Sequence, residues 1–113
     1  MFDNQWALEG DWTVKKEKAR SNAGKTRVLY RFHARDLHLV MGSSIDGPVR
    51  IRVRIDGKPP GSSHGSDIDA DGVGIVSEYR MYQLIRQQVP IEDRDMEILF
   101  LDRGVELFAF TFG

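Results

Sequence analysis

Val49-Arg-Ile-Arg-Val-Arg-Ile55 is the stretch of this sequence that decides the fold. Every second residue is branched and apolar, and the three residues between them, at positions 50, 52 and 54, are arginines. Successive side chains of a β-strand point to opposite faces, so this pattern predicts a strand with one buried face and one face of guanidinium groups.

The same two-residue period recurs along the chain, between turn signals of Gly, Asp, Asn, Ser and Pro. Further strands are predicted at Trp12–Glu17, Lys25–Ala34, Leu37–Met41, Val73–Tyr79, Met96–Leu101 and Val105–Phe112. The run Tyr79–Gln87 fits either a strand or a short helical turn. We therefore expect an all-β jelly-roll sandwich of about seven or eight antiparallel strands, with Phe108, Phe110 and Phe112 in its core.

Composition narrows the function classes. A chain of 113 residues supplies one hydrophobic core, so residues 1–113 are expected to form a single domain. There are no cysteines, which excludes a disulfide, a Cys-type zinc site and thiol chemistry in this chain. No apolar run approaches the roughly 20 residues of a membrane span. The start carries no signal-peptide pattern, so the chain is either cytoplasmic or a piece of a larger protein.

Basic residues crowd around one predicted loop near the start. They are Lys15, Lys16, Lys18, Arg20, Lys25 and Arg27. Because the chain has 16 Lys and Arg and 17 Asp and Glu, its charges nearly balance, and a solvated loop is favoured over a nucleic-acid site.

The longest gap in the apolar pattern is Asp56–Gly72, and its second half is rich in aspartate. Asp67, Asp69, Asp71 and Glu78 have the spacing of a calcium-binding loop, in which alternate carboxylates converge on a hard cation. The Pro-, Gly- and Ser-rich residues before Asp67 cannot form the entering helix of an EF-hand. Calcium on a β scaffold is one interpretation, and a solvated turn is the other.

Two further surfaces are candidates for ligand or partner binding. Arg50, Arg52 and Arg54, joined by Arg31 and His33, fit an anion or sugar-hydroxyl site, since guanidinium groups offer several fixed donors. The alternative is a cross-strand charge ladder with Glu97 or Glu106.

Exposed aromatic rings are the second feature to expect if the domain binds sugar. The candidates are Trp6, Trp12, Tyr79 and Tyr82, although most large aromatics in so small a domain belong to the core.

Catalysis has little support in the sequence. His33, His38 and His64 are isolated along the chain, and no serine lies in a nucleophile-elbow pattern. A small enzyme would need these histidines to converge with Glu78 in one pocket.

Several stretches resemble the C-terminal domain of DipZ-type proteins, and together they run nearly from end to end. They are Trp6–Trp12, Tyr30–Val40, Ile55–Gly61, His64–Asp69, Arg80–Arg86 and Phe110–Gly113. This family combines membrane segments of the cytochrome c biogenesis type, or simpler anchors, with a thioredoxin-like (redoxin) domain.

The resemblance implies a jelly-roll unit similar to carbohydrate-binding modules, working outside the cytoplasm in the periplasm or cell envelope. The redox cysteines would belong to the thioredoxin-like domain, so this unit is expected not to be an enzyme and to require no cofactor. The leading hypothesis is an accessory domain that binds envelope glycan. The alternative is a structural domain that docks on its thioredoxin-like neighbour.

Overall fold

The computed structural model describes residues 6–88 and 90–112, which form two antiparallel five-stranded sheets. The strands are β1 Trp6–Glu9, β2 Trp12–Val14, β3 Ala19–Ser21, β4 Thr26–Phe32, β5 Asp36–Ser43, β6 Val49–Ile55, β7 Val73–Val76, β8 Arg80–Arg86, β9 Arg94–Phe100 and β10 Val105–Phe112. Sheet A has the order β1-β4-β9-β6-β7, and sheet B has the order β2-β3-β10-β5-β8. The predicted jelly-roll β-sandwich is confirmed, but the expected seven or eight strands were too few.

Strand β6 has the predicted bounds and the predicted faces. Val49, Ile51 and Val53 are at most 1% exposed, whereas the arginines between them lie on the outside of sheet A. The inner faces of the two sheets meet in one core of aliphatic, methionine and aromatic side chains. Burying this apolar surface is the main favourable term in folding such a sandwich.

The two-residue alternation did not predict two of the strands, because they are too short to show it. β1 and β3 have four and three residues, and β2 stops at Val14 instead of continuing to Glu17. Gly10, with φ of 104°, lets the chain pass from β1 in sheet A to β2 in sheet B. The ambiguous run Tyr79–Gln87 is strand β8, which pairs with β5 over its whole length.

The expectation that the three C-terminal phenylalanines belong to the core was wrong for two of them. A register shift between Leu107 and Ala109 adds one residue to β10, and Phe108 at this bulge is 37% exposed. Phe110 does face inward and stacks on Tyr30 at 4.3 Å between ring centroids. Phe112 is 46% exposed because it lies where the strand and the sandwich end.

The long segment between β6 and β7 packs against the sandwich. It leaves sheet A, forms a 3-10 turn at Gly61–Ser63, and then runs along the outer edge of β8 in sheet B. The amide of Gly65 donates to the Leu84 carbonyl at 2.8 Å, and Ile68 inserts into the core with 5% exposure. The segment thereby covers an edge that would otherwise offer unpaired backbone groups.

Asp67 is the side chain that anchors this segment. Its carboxylate accepts hydrogen bonds from both terminal nitrogens of Arg80 at 2.7 and 3.1 Å, and from the backbone amide of Gln83. The hydrogen bonds from Arg80 lower the pKa of Asp67, and the Gln83 amide acts in the same direction.

No helix in the described part of the chain has the length and apolarity needed to cross a bilayer.

Gly65→Ala should detach the segment from β8. A Cβ at this position would lie 2.3 Å from the carbonyl oxygen of Gln83, which is backbone and cannot swing away. Overpacking of this kind costs about 1–3 kcal/mol of unfolding free energy, measured by chemical denaturation. The neighbouring control Ser66→Ala, on an exposed residue, should change stability by less than about 0.5 kcal/mol. Equal stabilities of the two variants would contradict this account of the close approach.

Asp67→Asn should lower the free energy of unfolding at neutral pH by about 1–3 kcal/mol, because hydrogen bonds to a charged group are lost. The folded-state pKa of Asp67 lies below its ordinary value of 3.8, so the stabilisation is complete above that value and is lost as the pH falls through the folded pKa. The stability difference from wild type should therefore be constant down to about pH 5 and shrink below it. Asp71→Asn is the matched control, since Asp71 is exposed and makes no ion pair with the described residues. A pH-independent difference for Asp67→Asn would contradict the role of the charge.

Candidate functional site

The two outer faces of the sandwich differ sharply in chemistry. The outer face of sheet A carries the arginines of β4 and β6 and the acids of β9, so it is charged. The outer face of sheet B carries exposed apolar and aromatic side chains with polar residues around them. The predicted site residues divide between these faces, the core and the segment between β6 and β7 that covers the edge of β8, which we call the edge segment.

The arginines of sheet A fall into paired and unpaired groups. Arg31 makes a two-pronged contact with Asp95 at 3.0 and 3.1 Å, and Arg50 makes one with Asp102 at 3.0 and 2.8 Å. The side-chain and backbone hydrogen bonds from Arg50 lower the pKa of Asp102 to about 2. Among the described residues, neither Arg52 nor Arg54 has a carboxylate within salt-bridge distance.

The acids named as ladder partners lie on different faces. Glu97 does lie on sheet A, where it binds Arg27 at 2.8 Å. Glu106 lies on β10 of sheet B and therefore faces away from the arginines of β6. His33, which the sequence pattern groups with the arginines, contacts Asp93 at 2.7 Å.

Two of the aromatic candidates are part of the packed interior. Tyr82 is 2% exposed, and its hydroxyl donates to the Glu78 carbonyl and accepts from the Ser77 amide. Trp12 is half-buried, packs edge-on against Phe100, and donates from its indole N–H to the Glu9 carbonyl at 2.9 Å. Trp6 begins β1, but its side chain lies outside the described part of the structure.

Tyr79 is the aromatic candidate that lies on the surface, with 51% of it exposed. Its ring rests on Gly42 of β5: a Cβ built there would lie 2.5, 2.6 and 2.8 Å from three adjacent ring carbons, Cγ, Cδ2 and Cδ1. A point almost equally close to these three atoms lies over the ring face, so the ring lies flat on the outside of sheet B. Any side chain at position 42 would lift it.

The Tyr79 hydroxyl fixes the ring in this position. It donates to Glu106 Oε1 at 2.7 Å, and Lys18 Nζ holds the other carboxylate oxygen at 3.0 Å. Burial of this hydroxyl end raises the pKa of Tyr79 to about 12, and the Glu106 carboxylate acts in the same direction. The Tyr79 hydrogen bond in turn lowers the pKa of Glu106, which is 5% exposed. At neutral pH the Tyr79 hydroxyl therefore keeps its proton and the Glu106 carboxylate is ionised, as their hydrogen bond requires.

Phe108 and Met81 extend this surface, which we call the aromatic platform and define by Tyr79, Phe108 and Met81. Phe108 lies inclined to Tyr79 at 68° with 5.9 Å between centroids, and Met81 is 43% exposed. Val40 and Ala109 lie between them in the sheet, because Val40 pairs with both Met81 and Ala109.

Polar side chains border the platform at both ends. Thr111 and Gln83 flank His38 in the next row of sheet B, and Lys18, Arg20 and Glu106 lie at the other end. Sequence reasoning missed Phe108, Met81, Glu106 and Gly42. The available signal was the glycine inside strand β5, since such a glycine often marks close approach of another group.

The aspartates of the edge segment have partners within the protein. Asp67 binds Arg80, while Asp69 Oδ1 accepts from the amides of Asp71 and Val73 at 2.9 Å and so builds a turn. Glu78 Oε1 lies 3.4 Å from Arg80 Nε. A calcium site here stays a prediction, and the ion would compete with Arg80 for Asp67.

The histidines have separate contacts. The Nδ1 atom of His38 lies 3.3 Å from the Thr111 hydroxyl, and that of His64 lies 2.8 Å from the Gly65 carbonyl. Within residues 6–88 and 90–112, no three His, Asp or Glu side chains are grouped so that they can hold a metal ion.

Solved structures of low sequence identity share this fold. A family two carbohydrate esterase from Clostridium thermocellum in complex with cellohexaose superposes with a TM-score of 0.66 at 14% identity, over 96% of this chain and 31% of that chain. A family two carbohydrate esterase from Cellvibrio japonicus gives 0.64 at 14% identity, over 93% and 29%. CsCBM6-3 from Clostridium stercorarium in complex with cellobiose gives 0.55 at 15% identity, over 98% and 88%. The chain spans less than a third of the two esterases, and at these identities the likeness shows the fold.

Sequence comparison places the chain in a family. The search of curated proteins gives no match. The family model described as the thioredoxin-like C-terminal domain matches residues 1–113, the whole chain. This agrees with the resemblance seen in the sequence and with the observed β-sandwich, and it implies a thioredoxin-like partner domain. The chain therefore belongs to the thioredoxin-like C-terminal domain family.

Proposed function

We propose that this chain is the non-catalytic accessory domain of a DipZ-type thiol-disulfide redox protein and that it binds glycan of the cell envelope through the aromatic platform. The setting is extracytoplasmic, in the periplasm or envelope. The attached thioredoxin-like domain carries the redox chemistry, and this domain holds it near its targets.

The observation that carries the proposal is the position of Tyr79 on Gly42. The C–H groups on one face of a pyranose ring pack well against the electron-rich face of an aromatic ring. An aromatic residue serves this purpose only when its ring is exposed and held flat, because ordering a mobile ring on binding costs free energy. Tyr79 meets both conditions, since Glu106 holds its hydroxyl and half of it faces solvent.

The surroundings of the platform fit a hydroxyl-rich ligand. The row of Thr111, His38 and Gln83 offers donors and acceptors beside an apolar centre. This arrangement of apolar contact with a few polar groups is typical of small-molecule sites. Cellohexaose and cellobiose in two of the structurally similar proteins make β-1,4-linked sugars reasonable first probes.

A second function is favoured by the continuity of the apolar surface. Phe108, Ala109, Val40 and Met81 extend the platform across three strands, and exposed apolar patches often mark protein interfaces. In this alternative the platform docks on the thioredoxin-like domain of the same protein. Hydrogen exchange in the full-length protein separates the two: docking would slow amide exchange along β10, β5 and β8, the strands that carry this surface, without any sugar.

Tyr79→Ala should weaken binding of soluble β-1,4-linked oligosaccharides, cellohexaose and the N-acetylglucosamine hexamer, by about tenfold or more. Losing contact with one large ring removes roughly 1.5–3 kcal/mol of apolar burial. Isothermal titration calorimetry on the chain measures the change. The matched control is Ile75→Ala, which removes an equally exposed apolar side chain from the outer face of sheet A. Unchanged affinity for Tyr79→Ala, or no sugar binding by the wild type, would rule out this surface as a glycan site.

Gly42→Ala should have a similar effect on sugar affinity while leaving every aromatic residue in place. The new methyl would force the Tyr79 ring off the sheet, because three ring carbons lie within 2.8 Å of the added Cβ. Near-ultraviolet circular dichroism should report the altered tyrosine environment. Retained affinity together with an altered spectrum would show that the flat placement of the ring is not what binds sugar.

A further inference from the structure

A small pocket lies on the outer face of sheet A, on the opposite side of the sandwich from the aromatic platform. It is lined by Arg27, Arg52, Arg54, Glu97 and Leu99 and has a volume of about 140 Å³. We call it the arginine pocket. Its place follows from the strand order, since β9 lies between β4 and β6 and carries Leu99 in register with Arg27 on one side and Arg52 on the other.

The charges in the arginine pocket do not balance. Arg27 binds Glu97 at 2.8 Å and lies 3.8 Å from Glu9, whereas Arg52 and Arg54 make no ion pair with any described residue. Three guanidinium groups thus line the pocket with one carboxylate. By contrast, Arg31 and Arg50 at the borders of this surface are each neutralised by their own aspartate.

The arrangement leaves repulsion that an anion would relieve. Alternate residues of a strand are about 7 Å apart, so Arg52 and Arg54 lie within the screening length of physiological salt. Leu99 lines the pocket beside them and is its one apolar residue. Guanidinium groups bind carboxylate and phosphate oxygens in a two-pronged manner, and such charged hydrogen bonds are about twice as strong as neutral ones.

The pocket is large enough for only one chemical group of a ligand. Sites for whole small molecules measure roughly 300–1,000 Å³, so a pocket of about 140 Å³ holds an anionic group and not a complete ligand. A wider depression of about 700 Å³ adjoins it and shares Glu97, with Leu29, Arg31 and Asp95 along its length. This depression is large enough for the remainder of a ligand, and its lining combines apolar side chains with Arg31 and Asp95.

We propose that the arginine pocket binds an oxyanion, a carboxylate or a phosphate, carried by a ligand whose remaining part lies in the adjoining depression. This site is independent of the aromatic platform because the two lie on opposite faces. The strand pattern alone suggests Arg50, Arg52 and Arg54 as one site. In the structure Arg50 is held by Asp102, and Arg27 lines the pocket with Arg52 and Arg54.

The test uses three sugars that differ in their anionic group: glucose 6-phosphate, glucuronate and neutral glucose. Each is titrated into the ¹⁵N-labelled chain at low ionic strength while the side-chain Nε–H signals of the arginines are followed by NMR. We expect saturable shifts at Arg27, Arg52 and Arg54 with at least one of the two anions and none with glucose. Arg50, which is held by Asp102, serves as the internal reference.

The double variant R52Q/R54Q should weaken anion binding by about tenfold or more. The control K15Q/K16Q removes the same charge from exposed residues elsewhere and should change affinity by no more than about twofold. Saturation with only one anion supports the site and identifies its source as a phosphate ester or an acidic sugar. Absence of saturation with both anions, or equal losses in the two double variants, would overturn the proposal. If R52Q/R54Q does not fold, the wild-type titration decides alone.

Discussion

Each strand of this protein must bury one face and leave the other in water, and the remaining features of the structure follow from that constraint. The inner faces of sheets A and B supply a core in which Val49, Ile51, Val53 and their partners on β5, β8 and β9 are almost fully buried. Apolar burial of this kind drives the two sheets together. The outer faces then carry side chains that packing does not require, and both candidate sites consist of such side chains.

The crossing from sheet A to sheet B connects this core to the aromatic platform. β7 belongs to sheet A and β8 to sheet B, so the three residues between them must pass from one sheet to the other. The Ser43 amide donates to the Ser77 carbonyl at this crossing, which holds the chain beside β5. Because the chain is held beside β5 here, the Tyr79 ring lies over Gly42. Its hydroxyl then donates to Glu106 on the neighbouring strand β10.

The two outer faces use their surroundings in opposite ways. On sheet B the charges of Lys18 and Glu106 satisfy each other and hold a ring in place. On sheet A the pairs Arg31–Asp95 and Arg50–Asp102 are satisfied, but Arg52 and Arg54 remain without acids among the described residues. An uncompensated cation at the surface is stable in water, so nothing in folding removes it. Such charges are available for a ligand because the fold does not use them.

The sequence by itself determined the strand type, the all-β class, the faces of β6 and the family resemblance, because alternation and local turn chemistry are written in consecutive residues. It also placed Tyr79 among the stacking candidates. It could not separate Tyr79 from Tyr82, since both are tyrosines near the start of β8 and only the sandwich decides which one points inward. Tertiary structure decided three further features. They are the bulge that exposes Phe108, the flat position of the Tyr79 ring on Gly42, and the presence of Arg27, not Arg50, in the arginine pocket. The physical reason is that each depends on pairing between residues far apart in the chain, and no local pattern records which strands become neighbours.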